Sequence, residues 1–214
     1  LVETGGGAAS STLISPEIHR EFCLPYDRRL HDALHELGFL VAYHSCGGTR
    51  GIEELIVANG CDASETLAPR SIGGNQEPWE FKAKIGGRLA LIGGLDQFNV
   101  LTRGTPREIR AAVRALFERM GAGGGYILSA ADHFFDAPPE HIRAYAEAAR
   151  AQLAAAESPR ACLSRQFFRY SRGQHEVSAD RCAVDALTAK LGETDDVREM
   201  IVAALTSPGF LRRK

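Results

Sequence analysis

Five short runs of apolar, strand-forming residues recur along the first part of the chain: Leu1–Glu3, Phe39–His44, Cys61–Glu65, Leu89–Ile92 and Tyr126–Ser129. Amphipathic stretches with helical spacing separate them, and this alternation predicts a parallel sheet wrapped by helices. One predicted helix opens at Thr105, with Pro106 in its first turn and Glu108 completing a Thr-x-x-Glu capping box. Its apolar residues Ile109, Ala112, Val113, Leu116, Phe117 and Met120 share a face, and Gly121 ends it. An earlier helix runs from Ser15-Pro16-Glu17 to Leu37, with a break expected near Pro25 and a stop at Gly38.

The pattern changes near residue 150. Only Gly173, Gly192 and Gly209 of the 22 glycines lie beyond it, and no convincing strand follows. Residues 151–156 continue a helix that Ser158-Pro159 is expected to break, which places a boundary at about 157 and divides the chain into 1–156 and 157–214. In the second part Ser178 and Thr194 are candidate N-caps, and Val197, Met200, Ile201, Ala204 and Leu205 form one apolar helical face.

Composition narrows the function classes. The chain has 214 residues, 44% hydrophobic and 24% charged, which excludes a disordered or fibrous protein. With 25 Lys+Arg against 27 Asp+Glu there is no broad field for nucleic acid or an anionic membrane, so small-molecule chemistry is favoured. No apolar run approaches the roughly 20 residues of a membrane span, and no charged-then-apolar leader opens the sequence, so a cytoplasmic location is expected. The five cysteines, an odd number at irregular spacings, argue for free thiols or metal ligands. The chain starts at Leu1, directly in strand sequence, and is read as a fragment.

Polar and glycine-rich residues gather after the strands, the edge where ligands bind in parallel α/β folds. In His44-Ser45-Cys46 the imidazole and thiol are two residues apart on a strand, so they share a face and make half of a zinc site. His133, Asp132 and Glu3 are candidates for a third ligand, the alternative being a buried thiol beside a hydrogen-bonded histidine. His133 also suits a general acid or base, or an anchor for a substrate carboxylate, with Phe134 and Phe135 walling the mouth. Asp132 and His133 are adjacent, and strand neighbours point to opposite faces, so their pairing is not assumed. Gly93-Gly94 offers backbone N–H groups for a carboxylate or phosphate, or else a tight turn with Asp96 as a cap. Gly5-Gly6-Gly7 lacks dinucleotide-fingerprint spacing, and no Gly-Lys-Ser/Thr pair occurs.

These blocks, from Glu3-Thr4-Gly5 through Leu24-Pro25-Tyr26, His44-Ser45-Cys46-Gly47 and Gly93-Gly94-Leu95-Asp96 to Gly124-Gly125-Tyr126 and Pro138-Pro139-Glu140, resemble the C-terminal part of the uroporphyrinogen decarboxylase superfamily. The resemblance covers residues 1–152 and implies an α/β fold, a partial (β/α)8 TIM barrel holding about the last five strands, followed by a small all-α region. A full barrel needs about 250 residues, and the unpaired edges of a partial one predict homo-oligomerisation or poor solubility of the chain alone. In the superfamily's zinc-dependent methyltransferases His-x-Cys is the metal motif, and a cysteine after the final strand is the usual third ligand. The matching position here is His133. The resemblance thus implies metal ligands His44, Cys46 and His133, catalytic His133, Glu3 and Asp96, and substrate contacts from Thr4, Gly93, Gly94, Gln97 and Phe134. Its cofactors would be zinc and a corrinoid, methylcobalamin on a partner corrinoid protein, with a small thiol as substrate. The alternative is the tetrapyrrole decarboxylase of haem synthesis, a lyase with no cofactor, in which a histidine at the place of His133 faces tetrapyrrole carboxylates. That branch's arginines and key aspartate belong to early strands absent from this sequence. A third reading is a non-catalytic truncated or fused remnant. Residues 160–214, with Phe168-Arg169-Tyr170-Ser171-Arg172-Gly173, Ser178-Ala179-Asp180-Arg181 and Leu205-Thr206-Ser207-Pro208-Gly209-Phe210, resemble the small helical C-terminal domain of planctomycete cytochrome-associated proteins, without a C-x-x-C-H haem site.

Overall fold

A computed structural model describes residues 1–173 and 176–207; Pro208, Gly209 and Phe210 of the last sequence block lie outside them. Five strands, β1 (Val2–Gly5), β2 (Val41–His44), β3 (Ala63–Thr66), β4 (Ala90–Leu95) and β5 (Tyr126–Ala130), form one sheet in the order β1-β2-β3-β4-β5. Every neighbouring pair is parallel. Helices α1 (Pro16–Phe22) and α2 (Leu24–Glu36) join β1 to β2, α3 (Glu53–Ala58) joins β2 to β3, α4 (Pro78–Ile85) joins β3 to β4, and α5 (Pro106–Met120) joins β4 to β5. Each crossover advances one place in one direction, whereas a doubly wound sheet reverses its order midway. The arrangement is an arc of a (β/α)8 barrel followed by helices.

Local chemistry explains the elements. The long helix anticipated over Ser15–Leu37 divides at Cys23, so that Pro25 sits in the first turn of α2, where its missing amide proton breaks no bond. α2 stops in a paired turn: Gly38 N–H donates to His35 O at 2.8 Å and Phe39 N–H to Leu34 O at 3.0 Å. At α5 both halves of the capping box form, Glu108 N–H to Thr105 Oγ1 and Thr105 N–H to Glu108 Oε2. Ile109, Val113, Leu116 and Met120 are its buried stripe.

One strand differs from expectation. β4 does not end at Ile92 but runs through Gly93 and Gly94 to Leu95, both glycines being buried and paired in register with Leu128 and Ser129 of β5. A Cβ on Gly93 would stand 2.1 Å from Thr66 O of β3, so glycine lets neighbouring backbones approach here and forms no loop.

The core lies between the sheet and its helices. Val41, Tyr43 and Leu91 point into it and meet Ile52, Ile56, Phe81, Ile85, Leu116 and Met120. Each such buried side chain contributes about 1.5–3 kcal/mol relative to exposure. Because side chains alternate along a strand, burying Val41 and Tyr43 commits Ala42 and His44 to the opposite face.

The chain divides into two compact units, Leu1–Ala149 and a second beginning at Arg150, with α6 (Pro139–Ala155) running across the division. The helix break anticipated at Ser158-Pro159 falls at Ala156, and both residues lie in the first turn of α7 (Glu157–Arg172). α8 (Arg181–Thr194) and α9 (Val197–Thr206) follow, and Phe168, Val184, Leu187, Leu191, Met200 and Ala204 form a separate core. Ser178 opens a short 3-10 turn capped by Val177, and the cap of α9 is Asp196, which accepts from Arg198 N–H at 2.8 Å, not Thr194. Among the described residues no helix is long and apolar enough to cross a membrane.

Candidate metal centre

The alternation that sends Tyr43 into the core places three polar side chains together on the other face. His44 ends β2, in register with Gly5 of β1 and Glu65 of β3. Its Nδ1 lies 2.7 Å from Glu65 Oε2 and 3.6 Å from Glu3 Oε1. An ionised carboxylate only accepts, so Nδ1 donates to Glu65, and Nε2 is the ring nitrogen left for a metal. Two residues on, Cys46 comes off the strand end. After β5 the backbone keeps company with β4 for one more bond, Ala131 N–H to Leu95 O at 2.8 Å, and this carries Asp132 to the same edge. Ligand atoms of His44, Cys46 and Asp132 lie within 4.8 Å of one another, and those of Glu3, His44 and Glu65 make a second such group.

Burial and neighbouring carboxylates set the electrostatics of the group. Burial pushes the Cys46 thiol above its ordinary pKa, and the carboxylates of Asp132 and Glu65 push it further, against a backbone hydrogen bond that favours the thiolate. Partial burial acts on Asp132 in the same upward sense, but hydrogen bonds from His133 and the nearby His44 outweigh it and hold the carboxyl below its usual range. A divalent cation between these groups would relieve the repulsion and favour the thiolate. One nitrogen, one sulfur and a carboxylate oxygen are a donor set that zinc accepts, so the residues present fit the ion.

His133 stands apart from this group. Its side chain is 79% exposed and its Nδ1 lies 2.8 Å from Asp132 Oδ1, which also accepts the His133 N–H at 2.7 Å. The two neighbours pair because they lie past the strand end, where side chains no longer alternate. Phe135 stacks on the His133 ring at 6.3 Å, and Phe134 is exposed. Asp132, not His133, is therefore the residue that the fold brings to His44 and Cys46.

Other expected site residues have different surroundings. Thr4, expected to touch substrate, is on the helix-facing side of β1: its Oγ1 lies 2.8 Å from His31 Nε2, and His31 Nδ1 lies 2.8 Å from Asn59 O. Glu3, its neighbour, points to the metal side and is largely exposed. Asp96 is a cap. Its Oδ1 accepts from Phe98 N–H and Asn99 N–H, and its Oδ2 from Ser71 Oγ and Asn99 Nδ2, so it holds the π-helical turn Gln97–Thr102. Gly93 and Gly94 lie within β4, and Gly93 O accepts from Tyr126 Oη at 2.8 Å. Gln97 is buried, and its Oε1 has no hydrogen-bond partner among the described residues.

Two contributors were missed. Glu65 orients His44, and an acidic residue closing an otherwise apolar strand was the available signal. Asn75 ties loops together, its Oδ1 accepting from Thr49 and Arg50 N–H and its Nδ2 donating to Ser11 Oγ, and nothing in its local sequence marks that role.

Comparison with known proteins agrees with this fold. Residues 140–210 match a family described as "Protein of unknown function (DUF1585)". A methylated-thiol–coenzyme M methyltransferase of Methanosarcina mazei is 30% identical over 144 residues, covering 67% of this chain and 35% of that protein. A methylcobamide:CoM methyltransferase of the same organism is 27% identical over 113 residues, 51% of this chain and 30% of that protein. The chain thus spans about a third of the length of the curated relatives it matches. A solved methyltransferase from Methanosarcina mazei superposes with a TM-score of 0.58 at 21% identity, over 70% of this chain and 41% of that one, a likeness of fold. Residues 5–152 match the model of the family described as "Uroporphyrinogen decarboxylase (URO-D)", and with most of its length inside that match the chain belongs to the uroporphyrinogen decarboxylase family.

Proposed function

We propose that this chain carries the metal-binding strand ends of a zinc-dependent, corrinoid-linked thiol methyltransferase. The observation that carries the reading is the convergence of His44, Cys46 and Asp132, with His44 Nδ1 held by Glu65. These three residues would hold the zinc ion, which would supply the Lewis acidity that favours the thiolate form of a small substrate thiol, the nucleophile in methyl transfer. Where the superfamily's methyltransferases typically use a second cysteine, Asp132 conserves the charge of the ligand set, and His133 fixes the orientation of its carboxylate. Glu3, 3.6 Å from His44 Nδ1 and open to solvent, would take the proton that the thiol gives up. The methyl donor is a methylcobamide on a partner corrinoid protein, by analogy with the relatives' names.

The carboxy-lyase alternative asks His133 to anchor substrate carboxylates. Its Nδ1 already meets Asp132 Oδ1 at 2.8 Å, and nothing in that alternative uses His44 or Cys46.

Metal analysis of the purified chain and of Cys46→Ser tests the proposal. The expected outcome is about one zinc per parent chain and a marked loss in the variant. Absence of zinc from both, after dialysis against the metal, would overturn it.

A further inference from the structure

The Gly5-Gly6-Gly7 run, which fits no nucleotide motif, folds over the His44-Ser45-Cys46 segment. Gly6 N–H donates to His44 O at 2.9 Å, and the 3-10 turn Gly7–Ala9 follows directly. A Cβ on Gly7 would stand 2.7 Å from Cys46 Sγ. The two segments are also fastened beyond this point, by Ser11 N–H to Gly48 O at 2.8 Å, Gly48 N–H to Thr12 Oγ1 at 2.6 Å, and Asn75 bridging Ser11 to Thr49 and Arg50. They are therefore tied on both sides of the Gly7–Cys46 contact. Gly7 does not have the positive φ of Gly5, so its conformation is open to alanine. What a side chain there would cost is room for the sulfur.

We infer that Gly7 is a positioning residue for the Cys46 thiolate, its missing side chain leaving the sulfur in reach of an ion shared with His44 and Asp132. The inference rests on the metal reading and deepens it. Non-bonded heavy atoms prefer about 3.5–4.0 Å, so a methyl at position 7 displaces the sulfur by about 1 Å. The protein adapts cheaply, because a thiol is the free end of a short side chain that changes rotamer. A zinc–sulfur bond does not: it is held near 2.3 Å with a tolerance of about 0.2 Å. One substitution therefore separates folding from ligation.

The test is Co(II) binding to the whole chain, followed through the sulfur-to-cobalt charge-transfer absorption, in the parent, Gly7→Ala and Gly87→Ala. Gly87 is exposed, its φ is ordinary, and a Cβ there meets nothing within 4 Å. Gly7→Ala is expected to keep the parent's far-UV circular dichroism while Co(II) affinity falls at least about tenfold and the charge-transfer band fades; Gly87→Ala should match the parent. Equal affinity and band intensity in Gly7→Ala overturn the inference while leaving the metal reading intact. A parent chain that takes up no Co(II) overturns the metal reading and this inference with it. If Gly7→Ala loses its fold, Gly7→Ala/Cys46→Ala decides: recovery to the level of Cys46→Ala identifies the sulfur as what the methyl meets, and no recovery overturns the inference.

Discussion

His44 Nδ1 lies 2.7 Å from Glu65 Oε2, across the β2–β3 pairing that sets the two residues in register. The contact orients the ring, so in the proposed metal centre Glu65 would tune affinity through His44. Glu65→Ala is expected to weaken zinc binding by about 10–100-fold. Glu65→Gln, which keeps an acceptor oxygen but not the charge, should fall between. Competition with a chromophoric chelator measures both, and parent-like affinity in Glu65→Ala would remove the orienting role.

The raised pKa of Cys46 gives metal uptake a direction with pH. Burial first, then the Asp132 and Glu65 carboxylates, keep the metal-free thiol protonated at neutral pH. Ligation requires the thiolate, so each ion bound releases a proton and the apparent affinity rises by about tenfold per pH unit through the neutral range. Calorimetry in buffers of different ionisation enthalpy counts that proton. In Cys46→Ser the slope should flatten, and an equally steep slope there would assign the proton elsewhere.

Asp96 separates a capping role from a catalytic one. Burial raises its pKa, but hydrogen bonds from Ser71, Asn99 and the backbone of Asn99 and Phe98 outweigh this and hold the carboxyl below its ordinary value. Its stabilisation is therefore complete above the unfolded value of about 3.9 and is lost as pH falls through the lower folded one. Asp96→Ala should cost about 1.5–3 kcal/mol at neutral pH, with a shallower loss of stability in acid and unchanged metal stoichiometry. Denaturant melts at several pH values check this, and parent-like stability at neutral pH would contradict the cap.

How much of this was legible depended on the range of each interaction. The sequence sets His44 and Cys46 on one strand two residues apart, but β2 ends at His44, so the turn that follows the strand, and not alternation, brings the Cys46 sulfur to the imidazole. The capping box at Thr105 and Glu108 and the interruption before Pro25 are local, and both elements form as the sequence indicates. Glu65 acts through register with another strand, and Thr4 turns to His31 because the fold decides which face of β1 meets α2; neither fact resides in a short window. Asp132 and His133 pair because the strand has already ended, a boundary that sequence fixes only to within a few residues. The extension of β4 past Ile92 is hidden for a related reason, since glycine ordinarily punctuates a chain and Gly93 here fits two backbones closely together.

That last reversal is itself testable. At Gly93 the φ of +117° disfavours any side chain, and a Cβ would press into Thr66 O at 2.1 Å, a carbonyl fixed in the sheet by the β3–β4 pairing. Relief demands movement of one strand against the other, unlike the rotamer change open to a thiol. Strain of this kind costs about 1–3 kcal/mol for the backbone conformation alone, and the collision adds to it. Gly93→Ala should therefore lose more stability in denaturant melts than Gly87→Ala, by at least about 3 kcal/mol. If Gly93 were instead an open loop residue presenting its amide to a ligand, alanine would leave the melt almost unchanged.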